Sequence, residues 1–244
     1  MSRKPKILLY DIETEPNLAY VWAKYQQDVI AFEREWQILS FSYKWRGQKK
    51  IHFHQKQGSS DKSLCKKLHD LFNRADLVIG HNSNKFDNKK VMARLIFHGF
   101  PPPKPFATVD TLVVARKYFK FNSNRLNDLG VYLGIGEKTP NMPFSVWEGC
   151  IKGSKKAWNK MKVYNKRDIE LLEGVYDLFL PWMQSHPNLS LLDNARNCPT
   201  CGSDNLIKQG RRATHKGLQQ QFKCYDCGGW CSVPYNVRRL KYGQ

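Results

Sequence analysis

Two short cysteine motifs constrain this chain most. Cys198-Pro199-Thr200-Cys201-Gly202 and Cys224-Tyr225-Asp226-Cys227-Gly228 each set two thiols three positions apart, with glycine directly after the second. Glycine there accepts the tight turn that such a knuckle requires. Four thiolates bind Zn²⁺ tetrahedrally, and one such ion holds together a module that lacks its own core. The gap between the pairs is slightly longer than the commonest spacing, within the variation of ribbon hairpins. Cys231 is a fifth thiol, less suited to ligation than Cys227, and an iron–sulfur cluster is the other chemistry open to such a set. Cys65 and Cys150 stand alone, so the seven cysteines do not form a disulfide framework, and a reducing, intracellular setting is expected. The chain therefore reads as residues 1–190, one medium-sized domain, followed by residues 191–244, a small zinc ribbon, with His186-Pro187-Asn188 opening the linker.

Within the larger part, Ile7 to Asp11 reads as a buried strand bounded by Pro5 and Pro16. Trp36 to Trp45 and Lys49 to His54 read as a hairpin across Arg46-Gly47-Gln48. Asp61 stands where a helix N-cap belongs, ahead of Leu64, Leu68, Leu71 and Phe72 at helical spacing. Short β-type runs at Leu77 to Gly80 and Ala107 to Val109 alternate with helices, and a long helix runs from about Lys155 to Met183. Antiparallel strands first, then alternating helices and strands, predict an α/β fold with a mixed sheet flanked by helices.

The formal net charge is +19, from 40 Lys and Arg against 21 Asp and Glu. Such an excess predicts a polyanionic partner, and nucleic acid fits it best. A membrane partner is not expected, because the sequence has neither a long apolar run nor a sustained basic amphipathic helix. Met1 to Lys6 is polar and basic, unlike a secretory leader.

The acidic residues carry the chemistry. Asp11 and Glu13 lie two apart at the end of a buried strand, so they project to one face. Like charges so close need protons or cations, and hard divalent cations prefer oxygen ligands. The plainer reading is a pair of solvated acids beyond a strand end. Asp168 falls on the apolar face of the long helix, with Tyr164 one turn before it and Leu172 one turn after. A carboxylate there needs a partner, either a metal ion or a buried Arg or Lys. Asp87, after Gly80-His81-Asn82, and Asp110 both stand where helix N-caps belong.

Asp11-x-Glu13, the Gly80-His81-Asn82…Phe86-Asp87 loop and Tyr164-x-x-x-Asp168 occur in that order. Together they resemble the three motifs of the DEDDy 3′→5′ exonucleases, over roughly residues 7 to 183. The branch includes the proofreading domains of DNA polymerases. The segment Ser123-Asn124-Arg125-Leu126-Asn127-Asp128-Leu129 resembles the helical stretch between the second and third motifs. The resemblance implies an RNase H-like fold and two Mg²⁺ or Mn²⁺ ions on Asp11, Glu13, Asp87 and Asp168. Asp110 is the fallback for the third acid. It further implies that Tyr164 positions the attacking water, that Asn82 touches substrate or braces its loop, and that His81 is structural. A free-standing, monomeric nuclease is expected, acting on single-stranded DNA ends. An exoribonuclease and a non-catalytic nucleic-acid-binding ribbon protein are the alternatives.

Basic residues of the ribbon, Lys208, Arg211, Arg212, Lys216, Lys223, Arg238, Arg239 and Lys241, are interleaved with Tyr225, Trp230 and Tyr235. Basic side chains track phosphates and aromatic rings stack bases, so Arg211, Arg212 and Trp230 are candidate contacts. A solvated basic face is the plainer reading. Tyr20, Trp22 and Tyr25, with Lys24 among them, are candidate base-stacking residues, with core packing the alternative for Trp22. Lys138 is a candidate phosphate contact.

Overall fold

The computed structural model describes residues 4–25, 28–137, 142–192 and 196–234. The chain forms two compact units, Lys6–Val175 and Tyr176–Gln244 with Met1–Pro5. The first runs β1 (Ile7–Thr14), β2 (Leu18–Tyr20), β3 (Ala31–Arg34), β4 (Ile38–Trp45), β5 (His52–Gln55), α1 (Lys62–Arg74), β6 (Leu77–Gly80), α2 (Asp87–Phe97), β7 (Ala107–Asp110), α3 (Thr111–Tyr118), α4 (Leu126–Tyr132), α5 (Phe144–Ile151) and most of α6 (Lys155–Phe179). The second unit adds β8 (Leu206–Thr214), β9 (Gly217–Cys224) and β10 (Trp230–Pro234). Among the described residues no helix is long and apolar enough to cross a membrane.

The fold is α/β. Five strands form a mixed sheet in the order β5-β4-β1-β6-β7. β1 is central, antiparallel to β4 and parallel to β6, and β6 is parallel to β7. A central strand is covered on both faces, which is why Ile7 to Tyr10 are all buried. Leu8, Tyr10 and Ile12 join Phe41 and Val78 in a core under α1 and α2, with Leu68, Phe72 and Val91. The opposite side has its own core, where Leu39 meets Val146 and Cys150 of α5 and Ala157 and Met161 of α6. Successive residues of a strand alternate faces, so Asp11 and Glu13 fall on the face opposite Tyr10 and Ile12.

The predicted hairpin forms as β4 and β5, with Gly47 at φ +84° between them, the left-handed conformation that glycine accepts without strain. The β2–β3 hairpin escapes sequence reading. Its strands are short and exposed, with no apolar alternation to mark them. Asp61 occupies the predicted position ahead of α1, but its side chain makes no capping bond. It accepts instead from the Ile38 N–H at 2.9 Å and from Nε and Nη2 of Arg94 at 2.8 and 2.7 Å, with His98 Nε2 at 2.6 Å. This cluster ties α2 to α1 and β4.

Burial pushes the Asp61 carboxyl up, but the bonds from Arg94, His98 and Ile38 outweigh it and hold it below its ordinary 3.8. A depressed folded-state value means stability that is present above 3.8 and lost as pH falls through the folded-state value. Asp61→Asn should lower unfolding free energy at pH 7 by about 3 kcal/mol, because Arg94 is left buried and unpaired. In urea titrations its gap to wild type should narrow as pH drops below 3.8; a constant gap would show that the charge is not responsible.

Candidate metal centres and cleft

Three carboxylates predicted from two separate motifs meet in the first unit. Asp11 and Glu13 come from β1 and Asp168 from α6, and one ligand oxygen from each lies within 4.8 Å of the others. The strand period and the helical period each turn their acids toward the same space. Glu15, two residues further on, does not join them: it is paired with Lys56, and with Arg34 at 3.8 Å. Asn165, fully buried on α6, donates from Nδ2 to Asp11 Oδ2 at 2.7 Å. It thereby fixes the Asp11 carboxylate, a role that an Asn in a helix does not announce in sequence.

Asp87 is the first residue of α2 rather than its cap, since Phe86 holds the cap position. Its Oδ1 accepts from the N–H of Ile12 at 3.1 Å, so it is held to the strand segment between Asp11 and Glu13. It is not part of the three-oxygen group. Burial pushes its carboxyl up to about 6, helped by the charge of Asp110 and opposed by bonds from the Ile12 and Asp87 N–H groups. Burial first, then the charges of Asp87, Asp11 and Asp110, also push the neighbouring Tyr10 phenol well above its ordinary 10. Burial dominates both shifts, and the neighbouring carboxylates add to it.

Asp110 caps α3 as expected, accepting from Leu112 N–H at 3.0 Å. Its oxygens also accept from the N–H groups of Asn82 and Asn84, at 2.8 and 3.1 Å, which anchors the loop after β6. Asn82 there has φ +62°, a left-handed conformation that asparagine tolerates better than most residues. A Cβ at Gly80 would meet Ser83 Cβ at 2.5 Å, so only glycine lets the loop turn back this tightly. His81 Nδ1 lies 2.9 Å from Thr111 Oγ1, and His81 also lines the cavity beside these loops.

A cavity of about 1040 Å³ opens beside these loops. Asn82 and Tyr164, both predicted, line it together with Arg116, Asn124, Arg125 and Trp147. Trp147 packs edge-on against the Tyr164 ring, with centroids 6.2 Å apart. A smaller hollow of about 380 Å³, between Thr14, Pro16 and Phe144, shares Met142 and Trp147 with it. Trp147 and Arg116 escaped sequence reading because a tryptophan in an apolar helix, or an arginine in a basic chain, carries no local mark of function, and Arg125 enters it only as part of the Ser123–Leu129 segment. Tyr20 and Trp22 line neither hollow. Tyr20 ends β2 and Trp22 lies between β2 and β3, with Trp22 84% exposed, so it is not a core residue. Lys138 lies outside the described residues.

In the second unit, β8, β9 and β10 form a three-stranded antiparallel sheet. Cys198, Cys201, Cys224 and Cys227 converge, with Sγ–Sγ distances of 3.7 Å for Cys198–Cys227 and 3.6 Å for Cys201–Cys224. Four sulfurs about 2.3 Å from a tetrahedral ion stand about 3.8 Å apart, so the group fits a metal such as Zn²⁺. Gly202 and Gly228 take left-handed φ of +77° and +71°, and their N–H groups donate to Cys198 and Cys224 carbonyls at 2.8 and 2.9 Å. These are the knuckle turns that the sequence predicts. Cys231 is outside the four-thiol group. Arg211, Arg212 and Trp230 are exposed on the sheet, and Trp230 stands directly across from Lys223. Tyr235, Arg238, Arg239 and Lys241 lie outside the described residues.

No family model matches the sequence, and no curated protein matches it. The fold does have a counterpart of known structure. The chain is similar to the family B DNA polymerase from the hyperthermophilic archaeon Pyrobaculum calidifontis, with a TM-score of 0.58 at 15% identity. The similarity takes in 78% of this chain and 26% of that one, so this fold corresponds to about a quarter of the polymerase.

Proposed function

We propose that this protein is a metal-dependent 3′→5′ exonuclease acting on single-stranded DNA ends, with an RNase H-like, DEDDy-type catalytic domain over residues 1–190 and a zinc ribbon over residues 191–244. The observation that carries the reading is the meeting of Asp11, Glu13 and Asp168 at one point. At about 4 Å and an effective dielectric of 20, each pair of like charges repels by about 4 kcal/mol. Divalent cations relieve that repulsion, and oxygen-only donors suit Mg²⁺ or Mn²⁺. The fold likeness to part of a DNA polymerase supports nucleic acid as substrate and favours DNA.

In this reading Asp11, Glu13, Asp87 and Asp168 hold two Mg²⁺ or Mn²⁺. When bound, such a pair supplies charge stabilisation for the attacking and leaving oxygens of a phosphodiester. The protein does the placing. Asn165 fixes the Asp11 carboxylate through its 2.7 Å bond. Asp87 fills the fourth position, held to the Ile12 N–H, whereas both oxygens of Asp110 are engaged by loop and cap. The Tyr164 phenol orients the attacking water, since at neutral pH a phenol is a hydrogen-bonding group rather than a base. Arg116 and Arg125 bind phosphate, Asn82 contacts the terminal nucleotide, and Trp147 stacks a base. In the second unit one structural Zn²⁺ sits on the four cysteines, and Arg211, Arg212 and Trp230 bind the nucleic-acid strand.

The test is digestion of 5′-labelled single-stranded DNA and matched RNA with Mg²⁺, Mn²⁺ or EDTA. A ladder shortening from the 3′ end, abolished by EDTA, is expected, faster on DNA. Faster RNA cleavage would reassign the substrate, and binding without cleavage would overturn the enzyme reading. Trp147→Ala should raise KM for single-stranded DNA about tenfold, the value of one lost stacking contact. Trp147→Phe should recover most of it in the same steady-state assay.

A further inference from the structure

Away from the acidic centre, the first unit has a third hollow, lined by basic residues. It has a volume of about 520 Å³ and lies along β5, the edge strand of the sheet. Lys50, His52 and His54 line it from the strand side, Lys67 from α1, and Lys162 and Lys166 from α6. No Asp or Glu lines it, and no carboxylate among the described residues pairs with any of these four lysines. Lys162 and Lys166 stand one turn apart on α6. Residues two apart on a helix diverge by about 200°, so Tyr164 and Asp168 leave the other flank of that helix. The basic hollow and the acidic centre are therefore back to back on one element.

Lysines beside an edge strand have a plain use, since they discourage pairing with another chain. That use is served by charges spread along an edge. Here the charges come from the strand side, α1 and α6 and line one concave space, where a bound anion would meet several of them at once. His52 is held below its ordinary 6.5 by burial, then by Lys50 and Lys166; His54 by burial, then by Lys67 and His52. The imidazoles are thus neutral at pH 7, and the lysines carry the charge. Trp158 and Asn159 complete the wall, giving a ring face and an amide beside the cations.

We infer that this hollow on the β5 edge is a second nucleic-acid site, which binds the phosphate backbone of a strand remote from the acidic centre. It concerns binding only and holds whether or not the acidic centre cleaves. A strand long enough to reach both places is gripped twice, and a short one only once.

The test uses the full chain in EDTA, so that no cleavage intervenes. Binding of fluorescein-labelled dT4 and dT20 is followed by anisotropy for wild type, Lys162→Ala/Lys166→Ala, and a control, Lys155→Ala/Lys156→Ala, which removes two exposed lysines outside the hollow. The groove variant should bind dT20 about tenfold more weakly, with the slope of log K against log salt reduced by about 1.4, and should bind dT4 as wild type does. The control should bind dT20 within about twofold of wild type. Unchanged dT20 affinity and slope in the groove variant would overturn the proposal. So would an equal loss in the control, which would assign the effect to overall charge. Inorganic tripolyphosphate is the third arm. If it displaces dT20 from wild type at micromolar concentration, the hollow is a site for free polyphosphate and the backbone assignment fails. The exonuclease reading is judged separately, by digestion in Mg²⁺.

Discussion

Asp168→Asn is expected to reduce exonuclease activity at least about a thousandfold and yet leave the metal-free protein as stable as wild type, or more so. Removing a ligand from a two-metal site takes away stabilisation that exists only in the transition state, and losses of this size follow from single groups of that kind. The stability arm is the sharper one. Asp168 is 2% exposed, and its oxygen lies within 4.8 Å of those of Asp11 and Glu13. Amidation removes one of three like charges, which relieves repulsion in the apo state. Were Asp168 half of a structural ion pair, the same change would destabilise by about 3–5 kcal/mol. Thermal melts in EDTA and in Mn²⁺ separate the cases. Wild type should gain about 2.7 kcal/mol at a Mn²⁺ concentration a hundredfold above Kd, and the variant far less. A destabilised variant with an intact Mn²⁺ response would remove Asp168 from the metal centre. Asp61→Asn is the internal contrast: Asp61 is just as buried, but its partners are Arg94 and His98, so its loss should lower stability at neutral pH and leave the Mn²⁺ response unchanged.

Metal removal from the second unit should have the other large effect. Of the residues in β8, β9 and β10, Cys224 is the one buried hydrophobic group among those described. A three-stranded sheet with so little core does not hold itself together, and structural zinc contributes an apparent free energy of about 10–16 kcal/mol to such modules. Purified protein should contain one Zn²⁺ per chain. Strong chelation, or Cys201→Ser, should make the chain from about residue 196 onward sensitive to protease, with Lys6–Val175 still protected, because that unit has its own two cores. Salt-dependent binding of single-stranded DNA should weaken in parallel if Arg211, Arg212 and Trp230 contribute. A protein without metal whose ribbon resists protease would overturn the zinc assignment.

The sequence by itself determined those features whose physics is local. The thiol spacing with a following glycine specified both knuckles, because the turn and the chelate are made by five consecutive residues. Strand alternation put Asp11 and Glu13 on one face, and helical spacing put Asp168 on a buried one. Tertiary structure decided what each of these side chains meets. Periodicity says which way a residue points, and says nothing of what stands opposite. Asp61 and Asp168 look alike in sequence, as single acids on or beside an apolar helix face, yet the fold brings Arg94 to the first and two more carboxylates to the second. Asn165 becomes a brace for Asp11 only because residues 154 positions apart are packed together. Trp147, Arg116 and Arg125 become a cavity wall, and four scattered lysines become one basic hollow, for the same reason: a concave surface is made by elements distant in the chain, and its chemistry exists only after they have packed.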